Sequence, residues 1–428
     1  MKKVLIITYY WPPAGGPGVQ RVLKFAKYLP EFGWQPVILT VESGEYPAID
    51  ESLLKDIPEG CKVYKTSSLE PVTLYKRFTG RKKNEKLPTF VLNKKHDENI
   101  KERISRWIRS NVFIPDAKIG WIPFAVRTGM KIIENENIDV ILSSSPPHSV
   151  QLIARRLAKK SGLRWIADYR DPWVDAFWQS DLTRTNYARN RDLKMEKETL
   201  GAADEIVTIS PSLISLFSHK ANNNYHLISN GYDPDDFGNV EKKQSRKFRI
   251  KYFGHLGKDQ NIHAFFKSLT SFDPAILNKM EITFFGSVHK TIEMTVKEYN
   301  LESYINFNPY ISHDKMLVQM IDSDLLLLVI PDIPENRGIV TGKIFEYMAS
   351  GNYILGIGPV DGDAAMILEQ TGSGKMYAHN QSLNDTLLSY FQNWKNDRWN
   401  KADKTETSKY SRKELSKKLA EILAGDSH

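Results

Sequence analysis

Residues 325–330 read LLLLVI, and residues 336–351 shortly after them read NRGIVTGKIFEYMASG. The first run is short and wholly aliphatic, which is typical of a strand buried on both faces of a sheet. The second run has glycines at 338 and 342, and apolar residues at helical spacing follow them. A buried strand, a glycine-bearing loop and a helix form the repeating unit of parallel α/β sheets. This stretch therefore predicts an α/β fold.

The same alternation of apolar runs and helical segments extends along the chain in both directions. We expect strands at 4–8, 37–39, 138–142, 164–167, 205–209 and 225–228, then near 248–253, 281–285, 305–307, 325–330 and 353–357. Turn-forming and charged residues at 230–247 predict a linker between the two sets. The predicted fold is α/β, with two doubly wound, Rossmann-like domains facing across a cleft. Their predicted bounds are 1–235 and 246–400, and 401–428 is predicted as a C-terminal helix that packs back towards the first domain.

The composition is that of a soluble globular protein. Of the 428 residues 41% are hydrophobic and 26% are charged, and the longest aliphatic run is far shorter than the ~20 apolar residues of a membrane-spanning helix. We interpret the apolar start at 4–8 as a first buried strand, not a targeting signal. The single cysteine, Cys61, excludes an intramolecular disulfide and a multi-cysteine metal site. We expect a cytoplasmic protein.

Charge is concentrated in one segment. Residues 71–118 hold thirteen Lys/Arg and five Asp/Glu, so their net charge of +8 equals that of the whole chain. A local basic patch indicates an anionic partner, and without a recognised nucleic-acid motif we predict no nucleic-acid binding. Apolar and basic residues alternate there with helical spacing, at Ile104, Trp107, Ile108 and Val112 and at Lys101, Arg103, Arg106 and Arg109. Such a helix could lie in an anionic membrane interface, or it could pack on its own domain with its basic face in solvent. The sequence supports both interpretations.

Ligands of doubly wound sheets bind beyond the carboxyl ends of the strands, so the strand-to-helix loops are the candidate sites. The loop after the first strand contains Gly15 and Gly16, which allow close approach of backbone N–H groups to an anion. A tight turn without a ligand is the alternative. A weaker third candidate is the loop from Gly254 to Lys258, which offers backbone donors and a cation.

The loop at 336–351 carries the richest chemistry. The N–H groups around Ile339, Val340, Thr341 and Gly342, together with Lys343, would suit a diphosphate. Glu346 lies three residues after Lys343, on the same helical face, and its carboxylate could accept two ribose hydroxyls. The alternative is an exposed Lys343–Glu346 salt bridge without a ligand.

A polar cluster follows two strands of the first half. His148 follows the strand ending near 142, and Asp168, Arg170 and Asp171 follow the next one. These side chains meet at one edge of a parallel sheet, which makes them candidate catalytic groups. The structural alternatives are His148 as a helix cap and Arg170–Asp171 as an ion pair.

The sequence contains no motif typical of a metal site or of a nucleophilic catalytic side chain. The D-x-D pattern at 322–324 abuts a buried strand, and the one at 361–363 is more typical of a turn and helix start. The ten histidines lack metal-ligand spacing. No G-x-S-x-G motif is present. We therefore predict no metal and no cofactor.

The motifs together resemble family 4 glycosyltransferases, retaining enzymes of the GT-B fold. The likeness rests on YWPP and GG at 10–16, on IS at 209–210 and SNGYD at 229–233, and on GKIFEY at 342–347. In addition, DYRDPW at 168–173 and PD at 115–116 followed by Trp121 look like a bacterial branch that makes surface polysaccharides or lipid-linked glycans.

The resemblance implies a UDP- or GDP-sugar donor held by the second domain and a glycan or lipid-linked acceptor held by the first. It implies transfer with retention and without a divalent metal. By position, Glu346 would bind the ribose, and Lys343 and Lys258 the diphosphate. Gly16 would pack against the phosphates, His148 would lie beside the donor sugar, and Tyr310 would flank the base. A basic segment touching membrane would make the protein peripheral on its cytoplasmic face.

The sequence departs from the family at Gly338, where a second glutamate is common, and Lys258 is displaced from the usual first phosphate cation. Ile339 to Thr341 would then contact the donor sugar through their backbone. Gly338 also keeps open a catalytically inactive homologue that acts as a binding partner. A GT-B sugar-nucleotide epimerase is the other alternative.

Overall fold

The computed structural model describes residues 1–44, 46, 48–69, 100–176, 179, 182–238, 240–398 and 403–425. Their contacts divide the chain into two compact units. Unit 1 comprises Met1–Ser229 and Leu415–His428, and unit 2 comprises Asn230–Glu414. Residues 70–99 of the predicted basic insertion lie outside the described residues.

Unit 1 is built on a seven-stranded sheet in which every described strand pair is parallel. The strands are β1 (Lys2–Ile7), β2 (Trp34–Val41), β3 (Lys62–Thr66), β4 (Val140–Ser145), β5 (Arg164–Tyr169), β6 (Glu205–Thr208) and β7 (Tyr225–Leu227). Their order is β3-β2-β1-β4-β5-β6-β7. Successive residues of β1 point to opposite faces, and both faces are covered: Leu5 and Ile7 enter one apolar cluster, Val4 and Ile6 another.

Helices cover both faces of this sheet. They are α1 (Pro17–Tyr28), α2 (Ile100–Asn111), α3 (Ile122–Glu136), α4 (Ser149–Ser161), α5 (Asn186–Leu200) and α6 (Pro211–Ser218). Short 3-10 helices lie at Leu29–Phe32, Glu51–Asp56 and Ile119–Trp121. Close packing of α3 on α4 depends on Gly129, since a Cβ there would lie 2.7 Å from Leu157 Cδ1.

Unit 2 has a six-stranded parallel sheet. Its strands are β8 (Phe248–Phe253), β9 (Met280–Phe285), β10 (Ile305–Asn308), β11 (Leu325–Val329), β12 (Tyr353–Ile357) and β13 (Gly374–Tyr377), in the order β10-β9-β8-β11-β12-β13. Its helices are α7 (Pro234–Phe237), α8 (His263–Leu269), α9 (Pro274–Leu277), α10 (Lys290–Glu298), α11 (His313–Ile321), α12 (Lys343–Ala349), α13 (Asp363–Gln370), α14 (Asn384–Lys395) and α15 (Lys404–Ser408), with a 3-10 turn at Asn336–Gly338.

The last helix, α16 (Arg412–Ala424), contributes its apolar face to unit 1. Leu415, Leu419 and Leu423 join the apolar cluster that contains Val4 and Ile6 of β1. The guanidinium of Arg164 in β5 donates to the Ile422 carbonyl at 2.8 Å and satisfies one acceptor at the end of the helix. The contacts thus place 415–425 with the first unit.

The strand order reverses once in each unit, between β1 and β4 and between β8 and β11. Such a switch point leaves a crevice beyond the carboxyl ends of the two strands, where open α/β sheets bind ligands. The loops there are those after Ile7, Ser145, Phe253 and Val329. These loops contain most of the predicted site residues.

The predicted fold class, two doubly wound Rossmann-like domains, is confirmed. Two edge strands, β3 and β13, were not predicted. The domain bounds of 235 and 246 stay predictions, whereas contacts divide the chain between Ser229 and Asn230. Among the described residues, none of the helices is long and apolar enough to span a bilayer.

Candidate functional site

Glu346 is held by a histidine that the sequence analysis did not single out. Its Oε1 lies 3.2 Å from Nε2 of His313, the first residue of α11, and both side chains are partly exposed. The hydrogen bond to Glu346 raises the pKa of His313. Within the described ranges, no side chain forms a hydrogen bond or ion pair with Glu346 Oε2. That oxygen can therefore accept a hydrogen bond from a ligand hydroxyl. The two residues are 33 positions apart, so no local pattern could have found the pair.

Lys343 folds back onto strand β8. Its ammonium lies 3.0 Å from the Tyr252 hydroxyl and 4.5 Å from the centre of the Tyr252 ring. Burial lowers the pKa of Lys343 to about 8, and the charge of Glu346 opposes that shift. Among the described residues no Lys343–Glu346 ion pair is recorded, so the structure does not show the exposed salt bridge. Lys343 is therefore a partly buried cation with a neutral partner.

The loop before α12 presents backbone donors beside this cation. No hydrogen bond is recorded within the described residues for the N–H groups of Val340, Thr341 and Gly342, while the N–H of Ile339 donates to the Asn336 carbonyl. The Thr341 hydroxyl is buried and has no described partner. Three free N–H groups, a hydroxyl and an ammonium give this loop the donors that a diphosphate requires.

Glycines let the second loop of the switch point approach Lys343. Gly254 has a φ of +109°, and a Cβ there would lie 2.7 Å from Lys343 Cε. Beneath it, a Cβ on Gly286 would lie 2.4 Å from the Gly254 carbonyl oxygen. Gly286 was not predicted, although its place directly after β9 was a usable signal. Lys258 and Tyr310 are exposed, Tyr310 to 79%, and their predicted contacts with phosphate and base stay predictions.

In unit 1, Asp168 makes a buried ion pair with Arg21 of α1. Arg21 NH2 lies 2.8 Å from Asp168 Oδ1, and Arg21 Nε lies 3.1 Å from Oδ2. Ser144 donates to Oδ2 at 2.6 Å, and Arg21 also donates to the carbonyls of Ile228 and Ser229. Both carboxylate oxygens are thus occupied, which makes Asp168 a positioning group in this structure. Arg21 was not predicted, because its partner Asp168 lies 147 positions away and no local pattern connects the two residues.

The Arg170 guanidinium likewise spends its hydrogen bonds on backbone carbonyls of the protein. Its guanidinium donates to the carbonyls of Ser145 (3.0 Å), Pro146 (2.7 Å) and Gly18. A Cβ on Gly18 would lie 2.7 Å from Arg170 NH1, so this approach requires glycine. Burial lowers the pKa of Arg170, against the opposing charges of Asp168 and Asp171. The described residues show no Arg170–Asp171 ion pair, and Arg170 instead connects the start of α1 at Gly18 to the loop before His148.

The glycine loop itself has a fixed path. The Gly15 N–H donates to the Ala48 carbonyl at 2.9 Å, and a Cβ on Gly15 would lie 3.1 Å from Asp50 Cβ. Gly16 precedes α1 with a φ of +106°, a conformation that favours glycine. Among the described residues, apart from its two chain neighbours, no atom lies within 4 Å of a Cβ built on Gly16. Its predicted approach to phosphates stays a prediction.

His148 stands immediately before α4 and stacks on Trp173. The two rings are 4.7 Å apart at an angle of 9°, and Tyr169 lies on the same aromatic stack. Burial lowers the pKa of His148 to about 3, so the ring is neutral near pH 7. Its Nδ1 is buried without a described partner, and the side chain makes no capping hydrogen bond to α4. A neutral imidazole with a free nitrogen can bind a hydroxyl, whereas a pKa of about 3 makes it a poor proton acceptor.

Asp116 performs the capping that His148 does not. Its carboxylate accepts from the Ser149 N–H at 2.9 Å and the Ser149 hydroxyl at 2.7 Å. Desolvation raises the pKa of Asp116 and these hydrogen bonds oppose the rise. Asp116 thereby fixes the start of α4 and the place of His148. It belongs to the PD pair at 115–116, which was noted only as a resemblance.

The described residues include no cluster of three or more His, Cys, Asp or Glu that could hold a metal. The site in unit 2 has the donors for a diphosphate and a carboxylate for a diol. The site in unit 1 has a neutral imidazole and a glycine loop. Together these groups suit binding and group transfer more than hydrolysis through a nucleophilic side chain.

Two doubly wound units with charged loops at their switch points form the architecture of GT-B glycosyltransferases. Solved structures of that class align along nearly the whole chain. Sucrose-phosphate synthase from Thermosynechococcus elongatus is 13% identical, with 100% of both chains covered and a TM-score of 0.64. Anabaena HepE, solved with UDP, is 12% identical over 99% of this chain and 100% of its own, with a TM-score of 0.63. WaaG, a glycosyltransferase of lipopolysaccharide biosynthesis, is 13% identical over 99% and 100%, with a TM-score of 0.54. At these identities the likeness shows the fold alone.

The family model described as Glycosyltransferase Family 4 matches residues 17–236, just over half of the 428-residue chain. The chain belongs to glycosyltransferase family 4. The predicted resemblance is confirmed, and membership favours glycosyl transfer over the epimerase and inactive-homologue alternatives. A search of curated proteins gave no match.

Proposed function

We propose that the protein transfers a sugar from a UDP- or GDP-sugar, held by unit 2, to a glycan or lipid-linked acceptor, held by unit 1. The proposed setting is the synthesis of a bacterial surface polysaccharide or glycan. One observation carries the proposal: Lys343 and three free N–H groups stand beside Glu346 at the switch point of unit 2. This set matches the diphosphate and ribose of a nucleotide sugar. The UDP bound by Anabaena HepE supports UDP as the first donor to test.

We propose that transfer retains the anomeric configuration. The bond from the anomeric carbon to the diphosphate oxygen breaks, and a bond from that carbon to the acceptor oxygen forms on the same face. The acceptor proton passes to the departing phosphate. The low pKa of His148 supports this route, because a group with a pKa of about 3 is a weak base near pH 7. His148 then binds a hydroxyl of the donor sugar through its neutral imidazole.

The departing diphosphate gains negative charge as its bond to the sugar breaks. Lys343 and the N–H groups before α12 are fixed in place before the reaction, so they stabilise that charge without reorganising. No metal is needed for this step in our proposal. Removing Lys343 should raise the barrier by ~3 kcal/mol, as loss of one such donor typically does.

We test the donor site by isothermal titration with UDP, GDP, ADP and CMP, and then with their common sugar conjugates, with and without EDTA. One base should bind more tightly than the rest, and EDTA should leave its affinity unchanged. K343A and E346A should both weaken that binding at least tenfold. The matched controls are K297A and E369A, which change exposed residues of α10 and α13. Equal binding by K343A and wild type, or no nucleotide binding at all, would contradict the proposed site.

We further propose that α2 contacts the cytoplasmic face of an anionic membrane. Ile104, Trp107 and Ile108 form one stripe of this helix and are 54%, 50% and 39% exposed. Arg103 is exposed beside them, and Arg106 is half-buried. An exposed apolar stripe with a basic flank fits the boundary between acyl chains and anionic headgroups, where a lipid-linked acceptor would be found.

Vesicle flotation tests this contact. Wild type should bind phosphatidylglycerol vesicles more than phosphatidylcholine vesicles, and R103E/R106E should bind about 30-fold more weakly, at about 1 kcal/mol for each arginine lost. K290E/K297E makes the same charge change on α10 of unit 2 and is the control. If both double variants bound like wild type, α2 would be a helix of unit 1 without a membrane role.

A further inference from the structure

His313 lies between carboxylates from two other segments. Glu346 of α12 accepts from its Nε2 at 3.2 Å. Asp236 of α7 and Asp314 of its own helix add negative charge near the ring. Tyr232, just before α7, and Phe237, the last residue of α7, pack against the apolar cluster that contains Ile344, the neighbour of Lys343. The SNGYD motif at 229–233 is thus followed directly by a helix that faces the partner of Glu346.

This arrangement of carboxylates favours a protonated His313 ring, which donates a hydrogen bond from Nε2. The hydrogen bond to Glu346 raises the pKa of His313, burial opposes the rise, and the charges of Glu346, Asp236 and Asp314 add to it. An imidazolium therefore persists to higher pH here than on an exposed histidine. Among the described residues, Glu346 Oε1 is the one carboxylate oxygen within hydrogen-bond distance of the ring, so the imidazolium donates to that oxygen.

A carboxylate that binds two adjacent hydroxyls needs a fixed plane. Glu346 is on a helix surface with 24% of its side chain exposed, where an unrestrained glutamate would sample several rotamers. The contact with His313 occupies one lone pair of Oε1 and leaves the second pair and all of Oε2. That is enough acceptor capacity for a vicinal diol.

Resting on the proposed function, we propose that His313 is the positioning residue of the donor site: it fixes the Glu346 carboxylate for the ribose diol of the nucleotide, and its protonated form does so best. His313 does not touch the transferred sugar. It should therefore affect the affinity for the donor and leave the chemical step largely unchanged.

The test uses titration calorimetry with UDP-glucose, whose diphosphate carries no group that ionises between pH 6 and 9. At pH 6.5, H313A should bind about 3- to 10-fold more weakly than wild type, the loss expected for part of a charge-assisted hydrogen bond. H313Q, whose amide can still donate, should recover most of that loss. The control is H263Q, which changes an exposed histidine at the start of α8.

The pH profile separates positioning from a purely structural role. Wild-type affinity should fall as the imidazolium of His313 loses its proton, and H313Q should lack this part of the profile. Tighter binding by H313A would overturn the proposal, because it would mean that His313 competes with the ribose for Glu346. Equal binding by H313A and wild type would also overturn it.

A second measurement does not depend on any nucleotide. The His313 ring can be titrated by NMR in wild type and in E346Q, and its pKa should be lower in E346Q. An unchanged pKa would show that the contact with Glu346 is not formed. If the pKa fell but wild type bound no nucleotide, the proposed function would fail, and the positioning role would fail with it. If wild type bound UDP-glucose and H313A bound it equally well, the positioning role alone would fail.

Discussion

The Lys343 ammonium lies 3.0 Å from the Tyr252 hydroxyl, although the two residues are 91 positions apart. Tyr252 is a neutral partner, and its hydroxyl also donates to the His255 carbonyl. In the part of the chain that the structure describes, no carboxylate forms an ion pair with Lys343, and the charge of Glu346 offsets its desolvation only in part, so its pKa falls to about 8. The site therefore holds a cation whose charge a bound diphosphate would stabilise.

Donor binding should weaken as pH rises through 8. A bound diphosphate favours protonated Lys343, and the free protein loses that proton above its pKa of about 8. From pH 7 to pH 9 the affinity for UDP-glucose should fall about tenfold from this group. Calorimetry at pH 8 in two buffers of different ionisation enthalpy should detect proton uptake on binding. K343R, which stays charged, should take up fewer protons there than wild type, and uptake equal to that of wild type would contradict the assignment.

Gly254→Ala should damage the donor site directly. The new Cβ would lie 2.7 Å from Lys343 Cε, at a backbone φ of +109°. We expect a loss of about 1–3 kcal/mol in stability and a loss of at least tenfold in nucleotide affinity. Gly351→Ala is the control, because Gly351 also has a positive φ, whereas no described atom beyond its chain neighbours lies within 4 Å of the added Cβ. It should lose stability and keep its affinity.

Arg21→Met should strongly destabilise unit 1. Removing Arg21 leaves the Asp168 carboxylate buried without its charge partner, at a cost of about 3–5 kcal/mol. Urea denaturation measures this loss. Asp168→Asn in the same chain should restore part of it, since the buried charge is then gone. A double variant no more stable than R21M would show that the two residues are not coupled.

His148 should make the protein less stable in acid. Its folded pKa is about 3, below the unfolded value of about 6.5, so the unfolded chain binds more protons between these values. Stability from this group is therefore highest above pH 6.5 and falls as pH drops towards 3. H148F should show a smaller drop in melting temperature between pH 7 and pH 4.5. H219F, at the exposed end of α6, should fall as wild type does.

The sequence predicted the central strands because they are continuous apolar runs, as 325–330 shows. It missed β3 and β13 because an edge strand can be polar. Lys62 and Lys65 of β3 are exposed and interrupt any apolar run, and Gly374 and Lys375 do the same in β13. Edge strands that carry lysine also avoid pairing with other chains, so the missing signal has a physical cause.

The candidate site was predicted as far as local spacing reaches. Lys343 and Glu346 stand out because a helix places them on one face, and Gly254 because it follows a strand. Their partners Tyr252 and His313 are invisible locally, since only the parallel sheet and the packing of α11 bring them near. Arg170 illustrates the limit best: its charge suggested chemistry, whereas its hydrogen bonds go to backbone carbonyls.

The place of α16 also affects the order in which the protein is made. Its residues from Leu415 onward complete an apolar cluster of unit 1, yet the ribosome synthesises all of Asn230–Glu414 before them. At ~5–20 residues per second, the first unit waits about 10–40 s for its last helix. During that interval Val4 and Ile6 lack part of their cover. Until then, the first unit presents an incomplete apolar cluster to chaperones and proteases.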